Sequence, residues 1–225
     1  MATFVVRLWL PDRPGALGAV AGRIGAVRGD LTGIDILERG GGSAIDELVI
    51  ELPDPSLVPL LLNELAEVDG VKVEDVRPAP EHLGDPRLDA LLTAAVLVGQ
   101  ESTTALLSAL VDHAGADFDA DWVAVVAPEA SSPLVTSGAP PPFAWLTAFL
   151  AGSRSAHEST GADAGPDDVA WAELEVAGLA VVLGRQGRPL RTRERRQLQA
   201  LALIADARWS ELGLRRSLVD HPSIA

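Results

Sequence analysis

The stretch Leu8-Trp9-Leu10-Pro11-Asp12-Arg13-Pro14-Gly15-Ala16-Leu17 joins two hydrophobic periods in a short span. Upstream of it, Phe4, Val6, Leu8 and Leu10 share one face of an extended chain, so residues 3–10 read as a half-buried strand. Pro11 to Gly15 is turn chemistry, and Pro14 suits the first position of a helix. Downstream, Leu17, Val20, Ile24 and Val27 follow at helical spacing until Gly29 stops the run. Working outward, residues 30–38 and 45–52 read as strands joined by the loop Arg39-Gly40-Gly41-Gly42-Ser43. Pro53-Asp54-Pro55-Ser56 breaks the chain again, Leu57, Leu61, Leu65 and Val68 mark a second helix, and residues 71–76 form a fourth strand.

This order is βαββαβ, the split βαβ arrangement of ferredoxin-like domains. With that order, the acidic residue, the Pro-Gly pair and the aliphatic residues of the quoted loop resemble the strand–loop–helix signature of the ACT domain, a small amino-acid-binding regulatory module. The resemblance covers residues 3–78, about a third of the chain. It implies a ligand site at Asp12, Arg13, Pro14, Gly15, Ala16 and Leu17, and pairing of two such domains into a homodimer. Asp12 stands where some amino-acid-binding members carry Asn; a carboxylate there attracts a ligand ammonium and repels a ligand carboxylate. A helix opening at Pro14 would offer the N–H groups of Gly15, Ala16 and Leu17 to an anion, with Gly15 needed because a Cβ would crowd the approach.

Residues 79–86 read as a linker, 87–213 as a second domain and 214–225 as a C-terminal tail. In the second domain the pattern gives helix over 85–113 with an interruption near Gly99, strands over 122–127 and 134–137, and a helix over 143–150. A polar loop follows over 153–168, then a hairpin of 169–176 and 179–184 and a long helix over 190–212. The strand at 179–184, the turn Gly187-Arg188-Pro189-Leu190 and the Arg/Glu-rich helix resemble a GAF-like sensor domain. The fold class is therefore α+β: a ferredoxin-like, ACT-like domain followed by a GAF-like domain.

Composition narrows the chemistry. The 225 residues carry 18 basic and 32 acidic side chains, a net charge of −14 that repels nucleic acid and anionic lipid. There is no Cys, which removes disulfides, thiolate metal sites and thiol nucleophiles. The longest apolar run, residues 90–99, is too short to span a membrane. No basic segment leads into an apolar block at the N-terminus, so a cytoplasmic protein without a signal peptide is expected. Lys72 lies within a strand and cannot serve a P-loop, and no Gly-x-Ser-x-Gly elbow occurs. His82, His113, His157 and His221 lack metal-ligand spacing and read as solvated, as does the trio Asp117, Asp119 and Asp121. The five Trp sit within apolar patterns and read as core. Neither a metal nor a cofactor is implied.

Two further patterns stand out. Residues 185–216 hold nine Arg against Glu194, Asp206 and Glu211. Those at the start of the last helix, Arg188, Arg191, Arg193 and Arg195 above all, either pair with the acidic remainder or form an anion site. Gly15, Gly18, Gly22, Gly25 and Gly29 line one face of the first helix. Such a bald face is expected to lie under another backbone, so that Gly22→Ala would destabilise. Together the sequence points to a noncatalytic regulator that binds an amino acid or similar small metabolite and signals to a partner protein. The alternatives are an enzyme such as an acyltransferase, whose Gly-rich turn is only partly supplied by residues 184–188, or a nucleic-acid-linked regulator using the Arg segment 185–196.

Overall fold

The computed structural model describes residues 1–79, 85–160 and 165–220, with side chains of 157–160 and 215–220 excepted. Part of the linker, His82, His221 and the His157 side chain lie outside the described residues. The chain divides into two compact units, Met1–Leu83 with Arg191–Arg193, and Gly84–Leu190 with Glu194–Ala225.

In the first unit the elements run β1 (Ala2–Pro11), α1 (Ala16–Ala26), β2 (Asp30–Gly40), β3 (Ser43–Leu52), α2 (Val58–Ala66) and β4 (Lys72–Pro78). The sheet order is β2-β3-β1-β4, with every neighbouring pair antiparallel, which is the ferredoxin-like topology expected from the element order. Phe4, Val6, Leu8 and Leu10 lie opposite Ile50, Leu48, Asp46 and Ala44. This face packs with Ala16, Val20, Ile24 and Val27 along α1, and with Leu61 and Leu65 of α2, into one core. The opposite face carries Arg7 directly across from Glu47. Arg7 donates from Nε and Nη2 to Glu47 Oε2 at 3.1 and 2.9 Å, and Arg77 donates to the same oxygen at 3.2 Å. Burial acts to raise the Glu47 carboxyl, but the two guanidiniums outweigh it and hold the group below its ordinary value.

The second unit runs α3 (Pro86–Gly99), α4 (Thr103–Asp117), β5 (Trp122–Val126), β6 (Val135–Gly138), α5 (Phe143–Thr160), β7 (Val169–Leu174), β8 (Leu179–Gly184) and α6 (Thr192–Asp220). Its antiparallel sheet has the order β6-β5-β8-β7. Val123, Val125, Val181 and Leu183 join α4 and α6 in one core, while Ala124, Val126, Ala180 and Val182 join Leu146 and Leu150 of α5 in another. Helices cover both faces, so every residue of β8 is buried. That is why 179–184 reads as an unbroken apolar run. At its end an added Cβ on Gly184 would sit 2.4 Å from the Trp122 ring, a close approach only glycine permits.

Two helices exceed their sequence reading. The expected loop 153–168 is helical as far as Thr160, because buried Ser153 continues the inward stripe of Leu146 and Leu150. Likewise α6 runs through part of the expected tail to Asp220. The Trp residues are not uniformly core. Trp9 and Trp145 are 36 % and 38 % exposed, and Trp145 stacks on Phe149 at 5.2 Å.

The glycine stripe of α1 also departs from expectation. Gly18, Gly22 and Gly25 face open space, with no atom within 4 Å of a Cβ built on any of them, so among the described residues no other backbone lies against that face. Alanine therefore fits, and the sign expected for Gly22→Ala reverses. The substitution should stabilise the first unit by about 0.5–1 kcal/mol through the loss of backbone freedom in the unfolded chain. A higher denaturant midpoint for the variant is the expected outcome; a lower one would mean that an external surface covers the stripe.

Candidate functional site

The loop after β1 is built differently from a helix opening at Pro14. Arg13 N–H donates to the Pro11 carbonyl at 2.9 Å, and Ala16 N–H donates back to the Arg13 carbonyl at 3.3 Å. The Ala16 amide is therefore already engaged and is not offered to an anion as expected. Gly15 caps α1 with φ 88°, in the left-handed region. Nothing lies within 4 Å of its would-be Cβ, so glycine is required by backbone conformation and not by a close approach. Asp12, Arg13 and Pro14 are exposed, Ala16 is buried and Leu17 half-buried. Asp12 N–H donates to the Gly42 carbonyl at 3.0 Å, which ties this loop to the β2–β3 hairpin. Arg13 lies 3.8 Å from Asp69, an exposed and weak pair.

Beside this loop is a residue the sequence reading did not single out. Asp46 sits in the inward row of β3 between Ala44 and Leu48, opposite Leu8 on β1 and Ile36 on β2. It is only 4 % exposed, and its Oδ1 has no hydrogen-bond partner. Burial raises its carboxyl above the ordinary value; Arg39 on β2 draws it down, and Asp12 pushes it further up. One end of the sheet thus gathers a buried carboxylate with an unused acceptor, a second carboxylate and a guanidinium. Such a set complements a zwitterion, with acceptors for a protonated amine and a cation for a carboxylate. The signal was available in the sequence: Ala44, Asp46, Leu48, Ile50 and Leu52 share one face of a strand, and a lone carboxylate interrupts that apolar row.

The arginines around the start of α6 that were candidates for an anion site are held by the protein itself. Arg185 is buried and donates to the carbonyls of Phe118, Arg188 and Pro189 and to Glu194 Oε1, at 2.6–3.0 Å. Arg188 pairs with Asp119 at 2.5 Å, and Arg195 donates to the carbonyls of Leu190 and Asp167 at 3.1 Å. Arg191 and Arg193 group with the first unit and pair there with Glu74 and Asp35. The four candidate anion-site residues are thus each bound to a protein acceptor. Asp119 and Asp121 are exposed in the turn after α4, as expected, and there they pair with Arg188 and accept from the Gln186 amide at 2.6 Å. Asp117 departs from the solvated reading: it is half-buried at the end of α4, and burial raises its carboxyl. His113 is half-buried on α4 with Nδ1 3.3 Å from Thr93 Oγ1, and so departs from the solvated reading as well. Among the described residues no three acidic or His side chains form a metal-holding group, and no helix is long and apolar enough to cross a membrane.

No protein-family model matches the sequence, and no curated protein does. Among solved structures, the chain is similar to the ACT domain from GTP pyrophosphokinase of Chlorobium tepidum, at 19 % identity and a TM-score of 0.28, covering 35 % of this chain and 97 % of that one. A formyltetrahydrofolate deformylase from Pseudomonas putida matches at 18 % identity and 0.28, over 44 % of this chain and 39 % of that one. An unknown protein from Galdieria sulphuraria matches at 10 % identity and 0.31, over 81 % and 97 %. The fold assignment rests on strand order and register and not on these scores.

Asp46 should depress stability in the absence of a ligand. Its carboxyl is raised in the folded state, so the native chain holds its proton to higher pH than the unfolded chain does. Stability therefore falls as pH rises above the ordinary value of 3.8 through the raised one, and stays lower beyond it. Asp46→Leu should remove that dependence and stabilise the unit at neutral pH by about 1–3 kcal/mol. Denaturant midpoints at acid and neutral pH check this; a destabilised variant at both would show the carboxylate to be structural.

Proposed function

We propose that the chain is a noncatalytic regulatory protein of the cytoplasm. Its first unit is ACT-like and binds an amino acid, or a similar small metabolite bearing a protonated amine. Its second unit is GAF-like and passes the signal to a partner protein. The observation that carries this reading is the unpartnered Asp46 oxygen, buried beside the loop of residues 12–17. A buried carboxylate without a partner costs stability, and such groups concentrate at functional sites. Asp46 and Asp12 take the ammonium, and Arg39 takes the carboxylate. The antiparallel sheet of the second unit, with α4 and α6 on one face and α5 on the other, supports the GAF-like reading. Pairing of the first units into a homodimer is supported by edge strand β2, which leaves Ile34 and Ile36 about 40 % exposed.

Thermal unfolding in the presence of each of the twenty amino acids tests the reading. A ligand at about a hundredfold excess over its Kd adds roughly 2.7 kcal/mol to the folded state, a shift of several degrees. We expect such a shift from a small subset, absent with the matching carboxylic acids that lack the amine, and lost in Asp46→Asn. Failure of every amino acid would overturn the proposal, and a shift surviving in Asp46→Asn would move the ligand elsewhere.

A further inference from the structure

Helix α3 is held to its unit by little. Thr93 and Leu97 are its buried residues, whereas Leu88, Leu91, Leu92 and Val98 are more than half exposed. An element with so few buried contacts opens locally at lower cost than the core beside it. Leu97 is an apolar anchor, in one cluster with Leu106 and Leu110 of α4. The other anchor is polar. Thr93 Oγ1 lies 3.3 Å from His113 Nδ1, and the same hydroxyl acts on Asp117, one turn further along α4. Asp117 is placed at a cost. It is the last residue of α4, where the helix dipole disfavours a negative charge, and its Oδ2 is buried without a partner. Burial raises its carboxyl above the ordinary value; the Thr93 hydroxyl and His113 draw it down, and Asp89 of α3 pushes it up again. The strands packed against α4 bring no titratable side chain. Other charges nearby are committed elsewhere: Arg185 to the Phe118 carbonyl and Glu194, Arg188 to Asp119, Arg208 to the Gln100 carbonyl and Glu211, and Asp206 to the amides of Val176 and Ala177. Arg87 and Asp112 are exposed.

We propose that Thr93, His113 and Asp117 form a proton-operated latch between α3 and α4, which closes when the cluster takes up a proton and eases when it loses one. The hydrogen-bond order that serves all three groups has His113 Nδ1–H donating to Thr93 Oγ1 and the Thr93 hydroxyl donating to the Asp117 carboxylate. The chain of bonds thus leaves α4 at His113, passes through α3 at Thr93 and returns to α4 at Asp117. A proton on His113 makes its bond to Thr93 charge-assisted. A proton on Asp117 removes a buried charge and its repulsion by Asp89. Because the Asp117 carboxyl is raised in the folded chain, the closed helix pair keeps its proton to higher pH than the opened one does. The contact is therefore tightest in acid, and it loosens as pH rises above the ordinary 3.8 through the raised value. This device lies wholly within the second unit and is independent of ligand binding in the first.

Amide hydrogen exchange of the full chain tests the latch, with protection corrected for the intrinsic pH dependence of exchange. Between about pH 4 and about pH 7, protection of α3 should fall severalfold, while β8 of the same unit keeps its own. In Asp117→Asn the protection of α3 should stay near its acid value across the range. Asp89→Asn, a change on the outer part of α3, should weaken the dependence without abolishing it. A response shared equally by α3 and β8, no response at all, or a full response retained in Asp117→Asn would each overturn the proposal. If Asp117→Asn does not fold, an undiminished response in Asp89→Asn overturns it instead. The comparison is made between elements of the second unit, so the pH dependence carried by Asp46 in the first does not enter it.

Discussion

The first unit depends on the register between β1 and β3. Ten residue pairs run unbroken from Ala2 opposite Leu52 to Pro11 opposite Ser43. Because side chains alternate with period two, a slip of β3 by one residue against β1 would turn Leu48 and Ile50 outward and drive Glu47 under the helices, away from Arg7. That exchange would remove fully buried aliphatic side chains from the core and bury a carboxylate without its guanidiniums, both heavily unfavourable. The same register places Asp46 opposite Leu8, at a position where a carboxylate serves no packing purpose. The inward position of Asp46 is thus a consequence of the pairing that builds the core.

Much of this was legible because the periods are clean. Phe4 to Leu10 alternates, Val20 to Val27 recurs at helical spacing, and Gly and Pro punctuate the joins, so the βαββαβ order follows from local patterns. Three features were not. The extension of α5 beyond Leu150 has a Gly-, Ser- and Ala-rich sequence, and only burial of Ser153 on the sheet reveals the stripe. The glycines of α1 share a face, but periodicity cannot say whether that face is covered. Gly15 was recognised for the wrong reason: its left-handed φ is set by turn bonds through Arg13 and Ala16, which no spacing rule encodes.

The basic residues of the second half show how a local excess of charge misleads. Nine arginines against three acids within 185–216 suggest an anion surface when the segment is read alone. Folding brings in acceptors that are distant in sequence. Arg185 reaches the Phe118 carbonyl and Arg188 reaches Asp119, each across more than sixty residues. A chain with net charge −14 has carboxylates and carbonyls to spare, so a cationic cluster is balanced internally before any external anion is needed. An excess of acid has the opposite meaning at Asp46, because its neighbour Asp12 adds to the cost of ionisation instead of relieving it.

Glu47 and Asp46 are stabilised very differently by the fold. The two are consecutive on β3 and point to opposite faces of one sheet. Glu47 meets two guanidiniums, and its charge is stabilised in the folded chain. Asp46 meets an apolar row, one arginine acting from β2 and a second carboxylate. If both residues served only the fold, leucine at position 46 would serve better, since it would extend the row from Ala44 to Leu52 without an unsatisfied acceptor. A carboxylate there is costly in the folded chain, because its ionised form is buried with one oxygen unsatisfied.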